Sequence, residues 1–297
     1  MLKRIFIFFA VSLLVSITIS TLMSLLGVGN YISAAGLNYG ALMAFCLLWG
    51  MGGSFITLLI SKPLAKWTMG VEIIEGNSHR NLVQRVHHYA KLAGLPTMPE
   101  VGVYESDELN AFATGRSKSS SLVAVSTGLL NRMSDEELDG VLAHEVAHIA
   151  NGDMVTMTLV QGVINAFVMF FSRIIAFAIS NALRKDDDEA PTSPWVHSLI
   201  VIFLDIIFGL MAMPIVAWFS RYREYRADRG GANLAGKNKM IAALESLQRA
   251  YPQMAMSQSE ANHNFQALQI SSKNAWIKYF STHPPLEDRI AALKMPH

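Results

Sequence analysis

Ser134-Asp-Glu-Glu-Leu-Asp-Gly-Val-Leu-Ala-His144-Glu145-Val146-Ala147-His148 is the stretch from which the rest of the chain is read. Ser134 followed three residues later by Glu137 is a capping-box pattern, and Leu138, Val141, Leu142, Val146 and Ile149 then recur at helical spacing. The pattern predicts a helix that opens at Ser134 and carries both histidines well inside it. Residues four apart share one helical face, so the two imidazoles can approach a single zinc ion at about 2.0–2.1 Å, with Glu145 beside them near the metal's water. Zinc lowers the pKa of such a water toward about 7, and an adjacent carboxylate can take its proton and pass it to a leaving amine. Amide hydrolysis needs both transfers. The pattern therefore points to a zinc hydrolase with Glu145 as general base and then acid, rather than to two histidines that happen to flank a glutamate.

A catalytic zinc of this kind takes three protein ligands and keeps one position open, so a third donor must lie elsewhere. The single cysteine, Cys46, sits in an apolar run, which leaves carboxylates and histidines as donors. Glu224-Tyr225-Arg226-Ala227-Asp228 is the best source. Glu224 would supply the ligand, and Asp228, one turn further, could accept a hydrogen bond from the second nitrogen of His144. Taken alone, the block reads as a basic helix at a membrane surface, with Arg221, Arg223, Arg226 and Arg229 offset by Glu224. Beside a histidine pair, the ligand reading prevails. His79, His87, His88, His197, His263 and His297 have no ligand spacing with one another, and the 16 methionines fall mostly in apolar runs where they fill space.

Of the 297 residues, 52% are apolar and only 16% charged, which excludes a disordered or fibrous chain and is unusually apolar for a soluble protein. The formal net charge is +1, from 24 Lys+Arg against 23 Asp+Glu, so no global field recommends a nucleic acid partner. Residues 5–26, 37–61, 157–180 and 195–219 are each long and apolar enough to cross a hydrocarbon core that takes about 20 helical residues. The first is too long for the apolar part of a cleaved signal and is soon followed by another span, so it reads as an anchor. Lys3, Arg4, Lys62, Lys66, Arg221, Arg223 and Arg226 all fall on one side of these spans, which predicts both termini and both polar blocks in the cytoplasm. The chain thus divides into an N-terminal transmembrane hairpin (residues 1–61), a first polar part with the histidine motif (62–156), a second hairpin (157–220) and a second polar part (221–297). The polar parts together, roughly 170 residues, suffice for one interrupted domain. Within it, residues 81–93 have helical periodicity, residues 100–104 and 121–126 look like strands, and residues 110–115 offer a third. Arg173 and Asp205 lie inside spans, where an ionisable group is expensive and usually paired, so a salt bridge between them is expected.

With these residues in view, the sequence resembles the HtpX family of integral membrane zinc metalloproteases, heat-shock-linked gluzincins related to the CaaX prenyl proteases. The likeness rests on His144-Glu-Val-Ala-His148, Glu224 to Asp228, Asn110-Ala-Phe-Ala-Thr-Gly115, Thr282-His283-Pro284-Pro285 with Glu287 and Arg289, and the paired hairpins. It implies a polytopic α-helical membrane protein of about four transmembrane helices bearing an α+β gluzincin-type protease domain on the cytoplasmic side. The implied ligands are His144, His148 and Glu224, around one Zn2+ per chain. By resemblance, Asn110, Ala111 and Phe112 form an edge strand beside the metal, on which a peptide substrate pairs by its backbone. The same likeness puts His283 near the site as a donor to the tetrahedral oxyanion, with Arg289 either sharing that role or pairing with Asp228 or another carboxylate. The expected activity is endopeptidase cleavage of misfolded or damaged membrane proteins, or unfolded polypeptides, at the cytoplasmic face of a bacterial inner membrane, in quality control under stress. Two rivals stand beside it. A CaaX-type prenyl protease would have more spans enclosing a chamber, and a noncatalytic scaffold or transporter with a structural zinc would have no use for Glu145.

Overall fold

The computed structural model of the chain describes residues 36–75, 78–183, 194–261 and 283–295, with Ile17, Thr18, Thr21, Leu25, Ile32 and Ser33 before them. Two compact units emerge, one from residues 1–57 and 157–216 and the other from residues 58–156 and 217–297. Of the first expected span, only Ile17, Thr18, Thr21 and Leu25 are among the described residues, and all four are helical; the rest of that expectation lies outside them.

In the first unit, a two-residue ladder pairs β1 (Ile32–Ser33) with β2 (Gly36–Leu37) and leads into α1 (Tyr39–Leu59). Three described helices are long and apolar enough to cross a membrane: α1, α6 (Asp153–Ala182) and α7 (Pro194–Ala235, apolar from Trp195). These are the second, third and fourth segments expected from the sequence. Leu42, Cys46 and Ala166 are buried between α1 and α6, whereas Leu199, Phe203, Ile206, Leu210 and Trp218 of α7 are exposed, as an apolar helix facing lipid requires. The expected pair of Arg173 and Asp205 forms only as a long contact, Nη1 to Oδ1 3.8 Å. The guanidinium makes its near hydrogen bond to the Met169 carbonyl at 3.1 Å and lies over the Phe45 ring, 5.3 Å from its centroid.

The second unit is α+β. α2 (Ser61–Met69) precedes a four-stranded sheet of β3 (Glu72–Ile73), β4 (Glu100–Tyr104), β5 (Ala111–Ser117) and β6 (Ser120–Ser126), in the order β3-β4-β6-β5. β4 and β6 are parallel, and β5 joins β6 antiparallel through a tight turn. β6 is central, and its Leu122-Val-Ala-Val125 run is fully buried, as a strand covered on both faces should be. One face of the sheet carries α3 (Arg80–Leu92), α4 (Thr127–Arg132) and α5 (Asp135–Asn151): Val86, Tyr89, Val123, Val125, Leu142 and Val146 share that core with Ala243 of α8 (Lys237–Ala261). The other face is a smaller cluster of Val71, Tyr104, Leu122 and Ala124, with Phe112 against it. The described part of the chain closes with α9 (Leu286–Lys294), which packs Ile290 and Leu293 on Met240 and Leu244 of α8.

Two local features set the length of α5. At its start, Ser134 Oγ accepts from the Glu137 amide while the Glu137 carboxylate accepts from the Ser134 amide at 2.9 Å, a complete capping box. At its end, Gly152 adopts φ 72° and ψ 28°, a left-handed conformation that glycine takes without penalty. α6 restarts at the very next residue, Asp153.

Candidate metal centre and active site

Two helices bring three side chains of the second unit to one point. α5 brings His144 and His148, one turn apart on the same face, and the part of α7 beyond its apolar run brings Glu224. α7 can lie directly on α5 because Gly230 and Gly231 face it: a Cβ at Gly230 would fall 2.7 Å from the Ala147 Cβ, and one at Gly231 3.1 Å from the His144 amide nitrogen. The two Nε2 atoms are 3.1 Å apart. Glu224 Oε2 lies 3.6 Å from His144 Nε2, and Oε1 lies 3.5 Å from His148 Nε2. Ligands on a tetrahedral ion with bonds of about 2.0–2.1 Å sit about 3.3–3.4 Å from one another, so this triangle has the size such an ion demands. Among the described residues, His144, His148 and Glu224 form the group able to hold a metal.

The outer nitrogens of both rings face carboxylates, which leaves the inner nitrogens to face Glu224. His148 Nδ1 is 2.7 Å from Asp153 Oδ2, and His144 Nδ1 is 3.0 Å from Asp228 Oδ1, an approach that lies off the ideal hydrogen-bond direction. Carboxylates accept only, so each Nδ1 is placed to present its proton to the carboxylate behind it, and with a cation in place of the inner proton each ring would turn a lone pair inward. Two lone pairs and a carboxylate meeting at these distances repel unless a cation lies between them. Burial alone would depress the two imidazoles, but Asp153 and Glu224 hold His148 up at about 9, and Asp228 and Glu224 raise His144. Carboxylates that favour a proton at this point favour a metal cation for the same electrostatic reason.

Arg289 resolves the choice left open by the sequence. It is buried, and it grips Asp228 with two parallel bonds, Nε to Oδ2 at 2.8 Å and Nη2 to Oδ1 at 2.6 Å, while Nη1 comes within 3.5 Å of Glu224 Oε2. The guanidinium is thus committed to the carboxylates behind the metal site. His283 has the opposite character: its side chain is 67% exposed, and Nδ1 lies 3.2 Å from Glu224 Oε2.

Glu145 faces the sheet, where its carboxylate accepts a hydrogen bond from the Ala113 amide of β5. Burial pushes the Glu145 carboxyl up, and the nearby Glu224 adds to this against the opposing pull of His144 and His148. β5 has a partner strand on one side only among the described residues. The Asn110 carbonyl accepts from the Ser126 amide, so strand alternation turns the main chain of Asn110 and Phe112 toward β6 and that of Ala111 and Ala113 toward the open edge. Of the three residues expected to meet substrate, Ala111 therefore offers its backbone. Phe112 packs its ring on Tyr104, 5.7 Å between centroids. Ala113 is the edge residue that the sequence reading did not name. Asp153 was not named either.

A family model for peptidase family M48 matches residues 77–297. A protease HtpX homolog from Verminephrobacter eiseniae is 49% identical over 300 residues, spanning 100% of this chain and 99% of its own. The chain belongs to the HtpX proteases of peptidase family M48. A second HtpX homolog, from Paracidovorax citrulli, and protease HtpX of Shewanella baltica are each 48% identical over 297 residues, covering 99% of both chains. As an M48 peptidase with three membrane-length apolar helices, the protein is a membrane-bound metalloprotease. The fold of this HtpX protease is shared with a solved structure, Ste24p of S. mikatae, at a TM-score of 0.62 and 20% identity, over 99% of this chain and 67% of that one.

Proposed function

We propose that the chain is a zinc endopeptidase that binds one Zn2+ through His144, His148 and Glu224 and cleaves misfolded or damaged membrane proteins at the cytoplasmic face of a bacterial inner membrane. The observation that carries this is the meeting of three side chains, two imidazole Nε2 atoms 3.1 Å apart with one oxygen of the Glu224 carboxylate 3.5–3.6 Å from each, and each imidazole backed by its own carboxylate. When bound, zinc supplies the Lewis acid that acidifies a water and polarises a peptide carbonyl. Glu145 takes the proton of that water on its carboxylate and returns it to the leaving amine nitrogen, a role suited by a carboxyl whose proton affinity is raised by burial. The Ala113 amide holds Glu145 in place until then.

An extended substrate pairs with the outward backbone groups of Ala111 and Ala113, which reads main chain rather than side chains and so accepts many sequences. His283, exposed and beside Glu224, donates to the carbonyl oxygen as it gains charge. Arg289 acts through Asp228, holding the carboxylate that orients His144. Lys62, Lys66, Arg221, Arg223 and Arg226 lie just outside the apolar segments on the side of the catalytic unit, which supports its cytoplasmic placement. Quality control under stress fits a peptidase that grips unfolded backbone next to a bilayer.

The test is cleavage of a destabilised multi-pass reporter by the purified full chain in liposomes, with zinc stripped and then restored. Cleavage that stops with the metal and returns at about one zinc per chain supports the proposal. Cleavage that survives complete removal of the metal overturns it.

A further inference from the structure

Asp153 is outside the metal triad and has no step in the reaction above, yet its side chain is only 1% exposed and is bound at every oxygen. Oδ2 accepts from His148 Nδ1 at 2.7 Å, and Oδ1 is held by Arg226 Nη2. Its main-chain carbonyl also accepts from Arg223 Nη1 at 3.3 Å. A buried carboxylate is costly unless paired, and here both pairings are directional. The residue opens α6, where the positive end of the helix dipole favours its charge. Arg223 and Arg226 flank Glu224 on α7. One carboxylate thereby touches the second histidine ligand, the first turn of α6 and the stretch of α7 that carries the third ligand.

We propose that Asp153, gripped by Arg226, is a positioning residue for the metal centre: it fixes the tautomer and ring angle of His148 and ties that ring to the helix that presents Glu224. The inference rests on His148 being a metal ligand. Outer carboxylates that accept from a ligand imidazole typically change metal affinity by about 10–100-fold when lost. Arg226 bonds to the Asp153 carboxylate, so its effect on the ring is expected to run through Asp153. A shift of the first turn of α6 against α7 is then felt at His148 as a rotated ring and a weaker metal site.

The experiment is zinc competition against a chromogenic chelator on the metal-stripped full chain in detergent, with the visible spectrum of the Co2+ form as a readout of ligand geometry. Asp153→Ala is expected to weaken zinc by about 10–100-fold. Asp153→Asn, which keeps the acceptor and loses the charge, should fall between it and the parent and shift the Co2+ bands. Arg226→Ala should weaken zinc by less, and the Asp153→Ala, Arg226→Ala double variant should be no worse than Asp153→Ala alone, because a residue acting through another is non-additive with it. An affinity within about twofold of the parent in both Asp153 variants, or losses that multiply in the double variant, overturns the proposal. If Asp153→Ala does not fold, the same cycle is run with the near-isosteric Asn. His148→Ala separates the two readings: if it keeps zinc, the ligand assignment fails, whereas if it loses zinc and the Asp153 variants do not, only the positioning role fails.

Discussion

Gly230→Ala tests whether the approach of α7 to α5 sets the metal site. The new Cβ would lie 2.7 Å from the Cβ of Ala147, the residue just before His148 on α5. Carbon atoms in contact settle at about 3.5–4.0 Å, and Ala147 has no torsion with which to retreat, so the helices must part by about 1 Å. Metal–ligand distances tolerate deviations of only about 0.2 Å, so Glu224 would be drawn out of bonding range while His144 and His148 stay in place. Stability should change far less, because overpacking of about 1–3 kcal/mol is offset by about 1 kcal/mol gained when alanine replaces a helical glycine. The expected result is at least a tenfold loss of zinc affinity by chelator competition, with the melting temperature of the metal-free protein lowered by only a few degrees. Unchanged zinc affinity in a folded Gly230→Ala variant would refute the claim that this helix contact places the third ligand.

Three further outcomes follow from particular contacts. Arg289→Met strips two buried carboxylates of their cation, so the metal-free protein should lose about 3 kcal/mol or more in thermal unfolding, and Asp228→Leu added to it should recover most of that stability but none of the zinc affinity. Ala113→Pro removes an amide that points to the open edge and to Glu145; zinc and fold should persist while cleavage of a peptide reporter falls at least tenfold, whereas Phe112→Pro, aimed into the β6 ladder, should not fold. Cleavage at the parental rate by Ala113→Pro would remove β5 from the substrate site. Burial would raise the Glu137 carboxyl, but the hydrogen bonds from Ser134 outweigh it and hold the group below its ordinary 4.5. That depressed pKa adds stability above about 4.5 and loses it as the pH falls through the folded value, so the melting-temperature gap between parent and Glu137→Gln should be full at pH 7 and close in acid; a gap that widens in acid contradicts the sign.

What the sequence disclosed, and what it hid, follows from the range of the interactions. The capping box of Ser134 and Glu137 and the apolar recurrence after it are local, so the start of α5 and the shared face of His144 and His148 are readable without tertiary information. β4 and the central β6 are likewise marked by short buried runs bounded by turn residues. Asp153 was hidden by the break before it. On an unbroken helix a residue five positions after His148 would point about 140° away from it, and only the left-handed Gly152 folds the carboxylate back onto the ring. The choice of Ala111 and Ala113 over Asn110 and Phe112 as edge residues depends on strand register, where a one-residue step exchanges inward and outward groups. Arg289 offered two roles because the sequence does not say that α9 docks beside α7; the paired bonds to Asp228 decide it.

The most direct test of the central claim is to compare the Glu145→Gln variant with the parent for bound zinc and for cleavage of an unfolded polypeptide. The three ligands are untouched by this change, and a general base is worth about 10²–10⁴-fold in rate. Equal zinc in the two proteins with cleavage at least 100-fold slower in Glu145→Gln is the result expected. Equal zinc with undiminished cleavage would contradict the assignment of Glu145 as the group that moves the proton.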